Sequence, residues 1–108
     1  MPQAIVTARF VEWFWTLSAE QQEELAVEVE VLERGGVRVA GMARSRYGIR
    51  EMTVDHRDGQ FVVLYAISEN GDPVLLVGAD RPPDRTTASA LVSEAEQAWE
   101  NYLKDPES

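Results

Sequence analysis

Between residues 46 and 80 the chain carries three apolar runs separated by turns, and the rest is organised around this stretch. Met52 and Val54 alternate with polar Glu51, Thr53 and Asp55, the period of two that marks a half-buried strand. Asp58-Gly59 follows and reads as a tight turn. Phe61 to Ile67 is rich in β-branched and aromatic residues and predicts a second strand. Asn70-Gly71-Asp72-Pro73 is the next turn, because glycine supplies a positive φ and proline fixes its own. Val74 to Val77 is apolar without alternation, so the third strand is expected to be buried on both faces. The pattern predicts an antiparallel meander.

Before the meander the period changes to that of a helix. Phe10, Phe14 and Leu17 recur at i, i+4 and i+7, with Thr7 as the cap of a helix over residues 8–17. Trp13 and Trp15 fall off that stripe and read either as cover for the helix edge or the next helix, or as a partner-binding surface. Ser18 with Gln21 makes a capping box for a second helix, whose apolar stripe is Leu25, Val29 and Leu32. Glu24 and Glu28 belong to its solvated face, and Gly35-Gly36 ends it. The two helices form a hairpin joined at Leu17-Ser18. Residues 1–6 read as a frayed end or an edge strand. After the third strand Pro82 and Pro83 stop the sheet, since neither can donate to a ladder. Thr86 or Thr87 caps a last helix to about Leu103, with Leu91, Ala95, Ala98 and Tyr102 on one face. Residues 104–108 are a polar tail. The fold class is α+β: a helix hairpin on one face of a short antiparallel sheet, then a C-terminal helix. Leu25, Leu32, Met52, Val63, Leu76 and Leu91 are expected in the core.

A chain of 108 residues fits one domain spanning 1–108. No apolar run approaches the roughly 18 residues that cross a bilayer, and no basic segment precedes an apolar block at the start, so a cytoplasmic protein without membrane contact is expected. With no cysteine and one histidine, neither a metal cage nor a cofactor is expected.

Net charge is −9, which argues against a general nucleic-acid binder, but the charge is unevenly spread. Residues 34–57 hold Arg34, Arg38, Arg44, Arg46, Arg50 and Arg57 against only Glu51 and Asp55. Everything outside that stretch holds four basic and seventeen acidic residues. A basic centre in an acidic shell is either solvated arginine or an anion-binding face. His56, at the hairpin turn beside Asp55 and Arg57, is either a general base or a solvated turn residue. Tyr65 and Tyr102 read as packing residues, and Asp55 and Asp58 as turn residues.

The element order resembles the RelE/ParE superfamily of bacterial toxins, in its HigB-like, phage-derived branch. Phe10 to Leu17 is similar to that family's first helix, and Leu32-Glu33-Arg34-Gly35-Gly36 to the end of its second. Gly48-Ile49-Arg50-Glu51-Met52-Thr53 resembles its first meander strand and Phe61-Val62-Val63-Leu64-Tyr65 its second. Leu75 to Pro82 resembles its third, and Ser93 to Tyr102 its terminal helix. Each motif is short, and together they cover nearly the whole chain.

The resemblance implies the toxin of a type II toxin–antitoxin system, held by a cognate antitoxin. It implies an endoribonuclease that cuts messenger RNA on the ribosome without a metal, using cations on the concave face of the sheet. A 2′-hydroxyl attacks the neighbouring phosphate, so charge builds on phosphate oxygens and must be met by cations. Carried onto this chain, the catalytic candidates are Arg50, Arg81 and His56, and the RNA-binding candidates are Arg44, Arg46 and Arg57. The phosphate is expected to meet Arg46, Arg50 and Arg81 across the mouth of the sheet, with His56 too mobile to do more than assist. The chain departs from the family where Thr53 and Val62 replace arginines and Pro82 replaces a lysine. Those departures point to two other readings. One is a protein-binding module of the same fold that no longer cuts RNA, or a ParE-like toxin directed at gyrase. The other is an unrelated small α+β domain.

Overall fold

The computed structural model describes residues 3–34 and 47–106; the expected Gly35-Gly36 helix stop, Arg38, Arg44 and Arg46 lie outside them. The elements run β1 (Ile5–Val6), α1 (Ala8–Phe14), α2 (Ala19–Glu33), β2 (Arg50–His56), β3 (Gly59–Ile67), β4 (Pro73–Asp80) and α3 (Arg85–Lys104). β2, β3 and β4 form the expected antiparallel meander. β1 adds to it in parallel beside β4, so the sheet has four strands in the order β1-β4-β3-β2 and is mixed.

Thr7 makes that edge. Its backbone N–H donates to the Leu75 carbonyl at 3.3 Å, and its hydroxyl lies 3.0 and 3.2 Å from the carbonyl oxygens of Leu75 and Leu76. The same oxygen accepts from the Phe10 N–H at 3.4 Å, which caps α1. One residue thus ends a two-residue strand and starts a helix. α1 is shorter than its periodicity suggests: it stops at Phe14, with Trp15 as its C-cap. α2 opens with the expected capping box, Ser18 Oγ accepting from the Gln21 N–H and Gln21 Oε1 from the Ser18 N–H.

Alternation along the strands sends side chains to two layers. On one face Val54, Phe61, Val63, Tyr65 and Leu75 pack with Phe10, Leu25 and Leu32 of α1 and α2. On the other, Leu64, Ala66, Val74, Leu76 and Val77 pack with Ala95 and Ala98 of α3 and with Ile49. Leu25, Leu32, Val63 and Leu76 are buried as expected, and residues 74–77 are buried on both faces. Met52 and Leu91 are only half-buried, because β2 is an edge strand and Leu91 lines an open cleft. Between Leu64 and Tyr65 the pairing slips: Leu64 faces Val77 while Tyr65 faces Leu75. Leu76 is the extra residue, and it joins Val77 in the α3 layer, as a bulge allows.

Trp13 is half-buried and packs against the helix-pair core cluster, edge-on to Phe61 with ring centroids 5.3 Å apart. Its indole lies against Gly78 of β4, in the space a Cβ there would fill. Trp15 is 70% exposed.

Gly78→Ala is therefore expected to force the indole out of its seat and destabilise by about 1–3 kcal/mol, the usual cost of overpacking. Urea unfolding of Gly78→Ala, Trp13→Ala and the double variant checks this. The double variant should lose clearly less than the two single losses combined, because they disturb one contact.

Candidate functional site

His56 and Arg81 both line one cleft at the tip of the β2–β3 hairpin, the imidazole from the Phe61 face and the guanidinium beside Gln60. His56 pairs with Gly59, so the loop is Arg57-Asp58, one residue earlier than the Asp58-Gly59 turn expected from the sequence. Gly59 closes it with φ at +148°, a conformation only glycine adopts readily. The His56 ring makes two contacts. It stacks on Phe61 with centroids 4.0 Å apart and 26° between planes. The Asp58 backbone N–H donates to its Nδ1 at 3.2 Å. A neutral imidazole that accepts at Nδ1 carries its proton on Nε2. In that tautomer the Nε2–H is the ring's free donor.

Arg81 follows the end of β4 and is fixed by Gln60. Its backbone N–H donates to the Gln60 carbonyl at 2.9 Å, and its Nη1 donates to Gln60 Oε1 at 2.5 Å. Gln60 Nε2 in turn donates to Asp55 Oδ1 at 2.7 Å. This chain of contacts aims the guanidinium. Gln60 was missed in the sequence, although it sits directly opposite Asp55 in the register.

His56 and Arg81 line one open cleft of about 570 Å³ with Gln21, Asp58, Gly59, Gln60 and Asp80. Gln21 lies in the first turn of α2, whose N-terminus carries partial positive charge. Arg57 is exposed at the loop. Asp55, Asp58 and Asp80 oppose these cations, so the tip as a whole is not strongly positive. Arg81 also borders a second cleft of about 470 Å³ on the α3 side, floored by Val62, Leu64, Leu91 and Val92 and edged by Glu51 and Arg85.

Arg50 does not join them. It shares a face with Met52 and Val54, opposite Tyr65. Arg81 reaches Gln60, on the other face and five residues along β3 from Tyr65. At about 3.3 Å per residue that is roughly 17 Å. The expected meeting of Arg50 and Arg81 on one phosphate is not supported by this placement. Arg50 instead faces the buried Tyr65, whose hydroxyl has no hydrogen-bond partner among the described residues. Burial pushes the Tyr65 hydroxyl up from the usual phenol range, and the Arg50 charge opposes that shift. Thr53 and Val62 pair across the α3 face, where Val62 is buried.

No protein-family model matches the chain, and a comparison with curated proteins finds no match. Among the described residues no group of three His, Cys, Asp or Glu side chains is placed to hold a metal ion. None of the helices described is long and apolar enough to cross a membrane.

Next to the second cleft, α3 is capped by Asp84, not by the expected Thr86 or Thr87. Asp84 Oδ1 accepts from the Thr87 N–H at 2.8 Å, and that bond holds its carboxyl below the ordinary range. A depressed folded pKa adds stability above the unfolded pKa and loses it as pH falls through the folded one. Asp84 should therefore stabilise the fold at neutral pH and lose that contribution below about pH 4. Thermal unfolding across that window checks this. Asp84→Ala should melt lower than the parent at pH 7, and the gap should close in acid.

Proposed function

We propose that this chain is a RelE/HigB-like toxin of a type II toxin–antitoxin pair, an endoribonuclease directed at messenger RNA during translation. Two things support the reading. The order helix pair, antiparallel meander, terminal helix is the order that the sequence resemblance implies. The observation that carries the chemistry is the fixed pair His56 and Arg81 on one cleft. In this reading a 2′-hydroxyl attacks the adjacent phosphorus, an O–P bond forms, and the bond to the 5′-oxygen breaks. Charge grows on the non-bridging oxygens. The His56 Nε2–H and the Arg81 guanidinium donate to those oxygens, and fixed donors aimed at developing charge lower the barrier most. The hydroxyl proton leaves to water, and the 5′-oxygen takes one from water. Arg57, exposed beside the cleft, draws in the backbone phosphates; Arg44 and Arg46 are further RNA-contact candidates from the sequence. A cognate antitoxin is the partner that restrains the activity.

The second reading, a protein-binding module of the same fold that cuts no RNA, is favoured by one feature. Three aspartates surround the tip, and Val62 occupies the middle of the α3 face where the resemblance calls for a cation.

Inducible expression in a bacterial host, with messenger RNA cleavage followed in a translating extract, tests the proposal. His56→Ala and Arg81→Ala should each lower cleavage about a hundredfold, the usual loss for one donor to a developing charge. Arg50→Ala should cut normally, since that side chain lies six residues along β2 from His56, roughly 20 Å from the cleft. Circular dichroism controls for folding. Full cleavage by both His56→Ala and Arg81→Ala would remove the site. Absence of growth arrest and of cleavage by the parent chain would leave the protein-binding module.

A further inference from the structure

On the α3 side of the sheet, a cleft of about 470 Å³ opens between β3 and the first turns of α3. That volume falls in the range usual for small-molecule sites, roughly 300–1,000 Å³. Its floor is apolar: Val62 and Leu64 of β3 meet Leu91 and Val92 of α3 there. Leu91 and Val92 stay only half-buried, because the cleft leaves them open.

Two cations border the same cleft, Arg81 and Arg85. Strand alternation puts Gln60 on the face of Val62 and Leu64, and its side-chain oxygen accepts from Arg81. The guanidinium is thereby held at the head of the apolar floor, with most of its five N–H groups left for another acceptor. Pro82 and Pro83 line that end too, and their fixed φ angles leave the link to Arg85 little freedom. Arg85 is the first residue of α3, and no acidic side chain stands in that first turn. A cation there opposes the helix dipole, so its position does not serve the helix. Among the described residues neither Arg81 nor Arg85 makes an ion pair. The carboxylates that border the cleft are placed elsewhere. Asp84 turns its Oδ1 to the Thr87 N–H. Glu51 stands opposite Leu64, four residues along β3 from Gln60, or roughly 13 Å by strand rise.

We infer that this cleft binds a small amphipathic organic acid, with one carboxylate on Arg81 and Arg85 and an apolar chain along Val62, Leu64, Leu91 and Val92. Guanidinium forks match a carboxylate through paired N–H···O bonds. Glu51 closes the far end against a second acid. The inference stands apart from RNA cleavage, although both use Arg81.

Calorimetry and amide NMR with octanoate test it, beside octanol, octylamine, nonanedioate and a short peptide ending in two leucines. Octanoate should bind and shift the signals of Val62, Leu91 and Val92. The other four should bind about tenfold more weakly or worse. They lack the charged head, reverse it, bring a second charge to Glu51, or lay unpaired peptide groups on the apolar floor. Arg85→Ala and Leu91→Glu should each weaken octanoate about tenfold, the scale of one charge-assisted hydrogen bond or one buried apolar chain. Glu51→Gln should raise nonanedioate to the level of octanoate. His56 lies outside this cleft, so His56→Ala should bind octanoate as the parent does, whereas the proposed cleavage depends on it; the two readings therefore fail separately. Circular dichroism controls for folding. Absence of octanoate binding, equal binding of octanol or octylamine, unchanged affinity in Arg85→Ala, or tighter binding of the peptide would overturn the inference.

Discussion

The indole of Trp13 occupies the space that residue 78 leaves by having no side chain, and the helix-pair face is built on that contact. A helix of seven residues has little stability alone, because nucleation costs more than a few internal hydrogen bonds return. α1 persists because Thr7 ties its start to β4 and Trp13 ties its end to the same strand. From Trp13 a row of rings continues in both directions. Phe10 lies 5.7 Å away on one side and Phe61 5.3 Å away on the other, and Phe61 stacks on His56 at 4.0 Å. The imidazole is thus the last ring of a core cluster. Its position is fixed by packing that begins in the N-terminal helices.

The opposite face is held by different means. Ala95 and Ala98 carry almost no side chain toward the sheet, so α3 approaches β3 and β4 closely. The bulge at Leu76 gives that layer two consecutive residues of β4. Beyond it β4 ends before Pro82, and Arg81 leaves the strand still bonded to Gln60. Strand termination and cation placement are therefore one event. A guanidinium held at both its backbone and its head loses less freedom when it grips an anion than a lone surface arginine does.

Much of the fold was legible because β2 alternates, β3 and β4 are apolar runs of strand length, and strong turn residues separate them. β1 was legible only as a choice between frayed end and edge strand, since two residues carry no period. The seat of Trp13 was not legible because its partner, Gly78, is sixty-five residues away and nothing local marks the contact. The α3 cap was misplaced because Asp84, Thr86 and Thr87 are all good capping residues, and spacing from Pro83 does not choose among them. The site was less legible. His56 looked mobile when read as a turn residue. Yet the register puts it one pair along from Val54 and Phe61, on the same face as Phe61, and ring contact follows. Register also separates Arg50 from the cleft: it pairs with Tyr65, six residues along β2 from His56, and a family motif laid along the chain does not carry that information.

Electrostatics then limits what the tip does. With a chain charge of −9 and Asp55, Asp58 and Asp80 beside the cleft, long-range attraction brings few anions to it. At physiological salt such attraction fades beyond about 8 Å in any case. In the proposed reading, binding at His56 and Arg81 would therefore rest on short-range geometry: an imidazole held by Asp58 and Phe61, and a guanidinium fixed by Gln60.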